Sequence, residues 1–239
     1  MLFDILAGNS IRDILISFLL TLPVILIALS FHEAAHAFVA YKMGDRTAYN
    51  LGRVTLNPVK HLDLMGSVWM LLFGYGWAKP VPINARNFKD PKKGMAITAI
   101  AGPAMNLILG VLGSIICTAL TFYMTVNIFT LIENNFLYRV LLAIQQLFLY
   151  MALMNFMLMA YNLIPIPPFD GSRFFGLLLP KKLYWSIMKY ERYTLWGIIA
   201  LSFLCSRFFN FSPFYWVASK LFGLIYDPVF NLLARITYG

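Results

Sequence analysis

Residues 26–44 read LIALSFHEAAHAFVAYKMG. The stretch has the apolarity of a membrane-helix interior, yet it holds two of the chain's three histidines and a glutamate. Ionisable groups are expensive in hydrocarbon, so their presence there is a pointer to function. His32 and His36 stand four residues apart, and a helix puts both imidazoles on one face, with Glu33 beside them.

The composition places this stretch in context. The 239 residues are 60% hydrophobic and 12% charged, and the mean hydropathy is +0.72. A soluble domain is closer to half apolar and a quarter charged. Several runs exceed the roughly 18–20 apolar residues that cross a bilayer core. The chain therefore reads as an α-helical integral membrane protein with 4–5 transmembrane helices. Residues 1–13 lack the basic start, short apolar core and small-residue site of a cleavable signal peptide, so they read as an extracytoplasmic or interfacial segment.

The net charge of +9 is not that of a nucleic-acid binder, because no basic–aromatic module accompanies it. Eight basic residues lie between 44 and 93 against Asp45, Asp63 and Asp90, and five more lie between 173 and 192 against Glu191. The loop 125–136 has no basic residue and one acid, Glu133. This alternation is the positive-inside pattern and places 44–93 and 173–192 in the cytoplasm, with attraction to the anionic lipid bilayer in addition. Cys117 and Cys205 sit in apolar runs without ligand spacing and read as small fillers.

The first span covers about 14–41, with Pro23 inside it. Residues 44–93 change character: "TAYNLGRVTLNPVKHLDLMG" and "WAKPVPIN" predict a small membrane-associated β-sheet, and "MGSVWMLLFGYG" a re-entrant piece too short to span. Further spans are expected at about 95–124, 137–163 and 194–211. The third ends at "IPIPPFDG", where prolines forbid regular helix. The last run, 214–233, is interrupted by Lys220 and Asp227-Pro228 and predicts either a span or an interfacial helix. The boundaries are thus 1–13, a core over 14–175 comprising three helices and the 44–93 segment, and C-terminal amphipathic and transmembrane helices over 176–239.

H-E-x-x-H on a helix is the arrangement in which two histidines bind Zn²⁺ and the glutamate serves as general base in metalloproteases. Two core histidines bonded to neighbouring helices would be the plainer explanation, but chance rarely produces the full pattern. Catalytic zinc needs a third protein ligand while one position stays open. Asp170 follows the proline break at the depth of the two histidines. A turn-forming Asp-Gly is the alternative for it and would prevail if Asp170 stood alone. Beside HEAAH the ligand reading prevails. His61 reads as a loop residue, Asn106 in "AGPAMN" as a polar group bonding across a close helix contact, and Arg139 as a snorkelling side chain.

With "SFHEAAHAFVAYKMGD", "GRVTLNPVKHLDLMGS", "GWAKPVPIN", "AGPAMNLIL" and "NLIPIPPFDGSR" in this order, the chain resembles the site-2 proteases, intramembrane zinc metallopeptidases of the M50 group. Phe169 stands where that family often has leucine. The resemblance implies one Zn²⁺ per chain held by His32, His36 and Asp170, water activated by Glu33, and Asn162 holding substrate or the developing oxyanion. It also implies hydrolysis of peptide bonds in or near transmembrane segments of protein substrates, in the plasma membrane of a prokaryote, with the active site toward the cytoplasm. Relatives with PDZ or CBS modules have segments that are not recognisable here, so a minimal form is expected, with a separate adaptor or regulatory protein as a further partner. A zinc transporter would need polar residues along a path through several spans, and the outer halves are almost bare of charge. An inactive scaffold would lack Glu33 or a ligand, and all are present. The pieces near Val54 and Val81 are expected to clamp extended substrate as edge strands.

Overall fold

The computed structural model describes residues 10–66, 78–180 and 211–238, with scattered positions between 183 and 208. Among the described residues four helices are long and apolar enough to cross a membrane. They are α1 (Ile11–Lys42), α3 (Pro91–Val126), α5 (Asn135–Asn162) and α7 (Pro213–Tyr238). Short helices α2 (Thr47–Asn50), α4 (Ile128–Glu133) and α6 (Asp170–Phe175) lie in the connections.

Local chemistry sets the helix ends. Gly44 adopts φ 110°, a left-handed exit, and the chain folds back so that the Asp45 N–H donates to the Ala40 carbonyl at 2.9 Å. Asp90 caps α3 by accepting from the N–H groups of Lys92 and Lys93, both at 3.1 Å, and Pro91 occupies the first position, where no N–H is needed. Asn134 caps α5 through Leu137. The helices at 11–42, 91–126 and 213–238 extend beyond the expected spans, at the start of α3 because the polar cap Asp90 lies outside the apolar window. The expected span at 194–211 lies largely outside the described residues, and so does most of the expected re-entrant piece.

α3 is the central helix, packed against α1, α5 and α7. Lipid is as apolar as leucine, so close packing of small residues and interhelical hydrogen bonds hold such helices together. The buried face of α3 is accordingly Gly102, Asn106, Gly110, Gly113, Ser114, Cys117 and Thr118. α7 runs antiparallel to α5 and alongside α3. Phe214 stacks on Tyr161 near the end of α5, Ala218 is buried with Ala152 and Phe156, and Phe230 meets Phe122 near the end of α3. The last run therefore packs lengthwise in the bundle, and at 26 residues it is about 39 Å long. The basic connection between α1 and α3 falls at the end of the bundle where α1 finishes and α3 begins.

The expected β-sheet is not found among the described residues. What pairs is one isolated antiparallel bridge, Leu62 with Ala78, where the Lys79 N–H donates to the His61 carbonyl at 2.8 Å. Pro80 and Pro82 remove alternate donors, and Gly52 at φ 64° and the turn at Pro58–Lys60 break the facing piece. Side chains replace the ladder. Arg53 donates to the Lys79 carbonyl at 2.6 Å, and His61 to the Thr55 carbonyl at 2.8 Å, which gives His61 a structural role.

Asp45 is the knot of this region. Its fully buried carboxylate accepts from the Thr47 N–H (3.0 Å) and hydroxyl (2.5 Å), the Asn84 N–H (2.7 Å) and the Asn87 amide (2.7 Å). Burial by itself pushes its pKa up, but the bonds from Thr47, Asn87 and Asn84 more than offset that and hold it below the ordinary value. A depressed carboxyl stabilises the fold above its unfolded pKa of about 3.9, and the contribution is lost as pH falls through the folded value. Asp45→Ala should lower the stability in detergent at pH 7 by about 2–3 kcal/mol for lost bonds to a charged acceptor, read as a lower melting midpoint. The variant should also lose part of the wild-type decline below about pH 4. Equal midpoints for variant and wild type at pH 7 would contradict this.

Candidate metal centre

α1 and α3 are antiparallel, and the four-residue spacing of His32 and His36 meets a matching stripe on α3. Thr98, Gly102 and Asn106 are also four apart. The His36 Nδ1 lies 2.7 Å from the Thr98 carbonyl, and the His32 Nδ1 lies 2.5 Å from the Asn106 Oδ1. Gly102 sits between them. A Cβ on it would stand 2.4 Å from the His36 Nε2 and 2.6 Å from the His32 Nε2, so only glycine lets the backbone of α3 approach both rings.

Asp170 completes the group. It is the first residue of α6, and the loop 163–169 carries it back against the end of α5. A Cβ on Gly171 would stand 2.4 Å from the Leu163 carbonyl oxygen. The glycine after Asp170 therefore serves a close approach, not the turn of an Asp-Gly pair. The Asp170 Oδ2 lies 3.2 Å from each histidine Nε2, and the two Nε2 atoms are 3.0 Å apart. Both imidazoles are buried, and the carboxylate is largely so.

Proton bookkeeping makes this arrangement informative. A carbonyl oxygen only accepts, so the His36 Nδ1 carries the proton that Thr98 receives. The Asn106 Nδ2 donates to the Ala28 carbonyl (3.4 Å) and to the Asn155 Oδ1 (2.7 Å), which leaves its Oδ1 to accept from the His32 Nδ1. Neutral imidazoles protonated at Nδ1 present bare lone pairs at Nε2. With both rings neutral, three lone-pair atoms converge within 3.2 Å with no hydrogen between them. That is repulsive unless a cation sits among them. Tetrahedral zinc with bonds of about 2.0–2.1 Å holds its ligand atoms about 3.3 Å apart, and the donor set fits. It is the one such cluster among the described residues.

Glu33 is partly exposed, and its Oε2 accepts from the Val81 N–H at 2.9 Å. Val81 lies in the extended segment that Asp45 ties to the end of α1 through Asn84. Pro80 and Pro82 have no N–H to offer and that of Val81 is engaged by Glu33, so this segment has few donors for an edge-strand clamp. The Asn162 amide donates to the Leu158 carbonyl of its own helix at 2.9 Å. Sequence reading missed Thr98, Gly102 and Asn155, and assigned Val81 to a substrate clamp; it read Asn106 as a polar group bonding across helices, as it does, without naming His32 as the partner. The visible signal was the stripe at 98, 102 and 106, in register with 32 and 36.

The model of peptidase family M50 matches residues 20–202. YwhC of Bacillus subtilis is 37% identical over 169 residues, 71% of this chain and 73% of that protein. Rip2 of Mycolicibacterium smegmatis is 33% identical over 100 residues, 40% of this chain and 38% of its own length. A zinc metalloprotease of Methanocaldococcus jannaschii is 23% identical over 178 residues, 74% of this chain and 40% of that protein. All three carry zinc-metalloprotease names. No solved structure matches. With three quarters of its length matched by the family model and its motifs gathered around one buried centre, the chain belongs to peptidase family M50.

Proposed function

We propose that this zinc metalloprotease of family M50 hydrolyses peptide bonds in or near the transmembrane segments of other membrane proteins. His32, His36 and Asp170 hold one Zn²⁺, and Glu33 is the general base. The observation that carries the reading is the convergence of three lone-pair atoms, each on a buried or largely buried side chain, within 3.2 Å. Bound there, zinc supplies a Lewis acid that acidifies water and polarises a carbonyl.

The chain's own residues do the rest. Thr98 and Asn106 fix the ring protons at Nδ1 and aim both Nε2 atoms inward. The Val81 N–H holds one Glu33 oxygen, leaving the other to take a proton from water and return it to the leaving amine nitrogen. Asn162 steadies the developing oxyanion, which requires its amide to turn away from Leu158. Residues 14–175 form the catalytic core, and 176–239 supply further helices around it.

The site end of the bundle carries the basic connection between α1 and α3 and faces the cytoplasm, in the plasma membrane of a prokaryote. The bacterial and archaeal relatives support the prokaryotic part of that placement, and the basic loop between α1 and α3 supports the orientation. Substrate choice rests on the membrane core or on a separate adaptor.

The test is cleavage of a model transmembrane protein by the full chain in liposomes, with chelator and then zinc added back. Cleavage should stop with chelator and return with zinc, at one zinc per chain by elemental analysis. Cleavage that persists without metal, or a chain that takes up no zinc, would overturn the reading.

A further inference from the structure

The two histidines are held by partners of different kinds. Thr98 offers His36 a backbone carbonyl, which has only one possible role. Asn106 offers His32 a carboxamide, whose two ends have opposite roles, so something must decide which end faces the ring. The deciding contact comes from a third helix. Asn155, fully buried on α5, donates its amide to the Met151 carbonyl at 2.8 Å, with the Met151 thioether, another acceptor, at 3.2 Å. Its Oδ1 must then face Asn106, and it accepts from the Asn106 Nδ2 at 2.7 Å.

We propose that Asn155 is a positioning residue for the metal centre: acting through Asn106, it fixes the Nδ1-protonated tautomer of His32 and keeps Nε2 free for the ion. Were Asn106 reversed, its NH₂ would face Nδ1, the ring proton would move to Nε2, and that ligand position would be blocked. The relay Met151–Asn155–Asn106–His32 crosses α5, α3 and α1. It makes the ligand geometry of α1 depend on a side chain of α5 that does not touch the site. The inference rests on the metal centre proposed above.

Zinc affinity of the purified full chain, measured by competition with a chromogenic chelator, tests it. Asn155→Leu should weaken zinc binding about 10–100-fold, with Asn155→Ala as a second variant should the first fold poorly. In an Asn106→Asp background both oxygens accept, so no wrong orientation exists for Asn155 to prevent. There Asn155→Leu should change affinity by less than about 3-fold, because the two residues act as one unit. Thr118→Val, which removes a buried hydroxyl elsewhere in the bundle, on α3, should bind zinc as wild type does.

An equal loss in both backgrounds, or a matching loss in Thr118→Val, would show a general packing effect and overturn the proposal. So would wild-type affinity in Asn155→Leu and Asn155→Ala while the wild type itself loads zinc. A wild type that takes up no zinc would instead bring down the metal centre, and this inference with it.

Discussion

Glu33→Gln should reduce cleavage of a transmembrane substrate by about 10²–10⁴-fold while zinc binding stays as in wild type. Glutamine matches glutamate in size, and its carbonyl oxygen can keep the bond from the Val81 N–H. What it brings to the other position is an NH₂ group, which donates and cannot take a proton from water. The three converging atoms belong to His32, His36 and Asp170, so the ion should stay. The loss is then chemical, and elemental analysis beside the cleavage assay separates it from unfolding. Cleavage within about 3-fold of wild type would remove Glu33 from the role of general base.

Gly102→Ala should weaken zinc binding at least about 100-fold, an effect of about 2.7 kcal/mol. The added carbon would stand 2.4–2.6 Å from ring atoms of both histidines, well inside contact distance. α3 and the rings must then separate, and the Nε2 atoms no longer converge with Asp170. Two smaller effects oppose each other in the apoprotein. Alanine favours the helix by about 1 kcal/mol over glycine, and overpacking costs about 1–3 kcal/mol. The stability without metal should therefore fall by no more than about 2 kcal/mol, while affinity falls by more. A Gly102→Ala protein with wild-type zinc affinity would show that α3 does not seat the two rings.

Much of the candidate site was legible in the sequence because its chemistry is local. Helical spacing alone puts His32 and His36 on one face, and the proline run before Asp170 announces a break that can carry a carboxylate back to them. The spans were legible for the same reason, since a bilayer demands about 20 apolar residues. Long-range choices were harder to read. Val81 looked like strand because it is β-branched and in extended company, yet its N–H meets the Glu33 carboxylate 48 positions earlier. Gly102 looked like a helix-packing residue, and only the antiparallel register of α1 and α3 puts it beneath two imidazoles. Asn155 gave no local signal at all, because its role depends on a chain of hydrogen-bond polarities across three helices.

The proposed ligand set would join residues of α1 to Asp170 of α6, so a bound ion would be a polymer cross-link as well as a reagent. His36 and Asp170 are 134 positions apart, and tying such points in a free chain removes conformational entropy worth about 5 kcal/mol. Helices that remain inserted in a bilayer are already confined, so that figure is a ceiling. The remainder acts as a rivet through the seam where the start of α6 meets α1. Withdrawing the ion should then loosen that seam mechanically, besides ending the proposed hydrolysis.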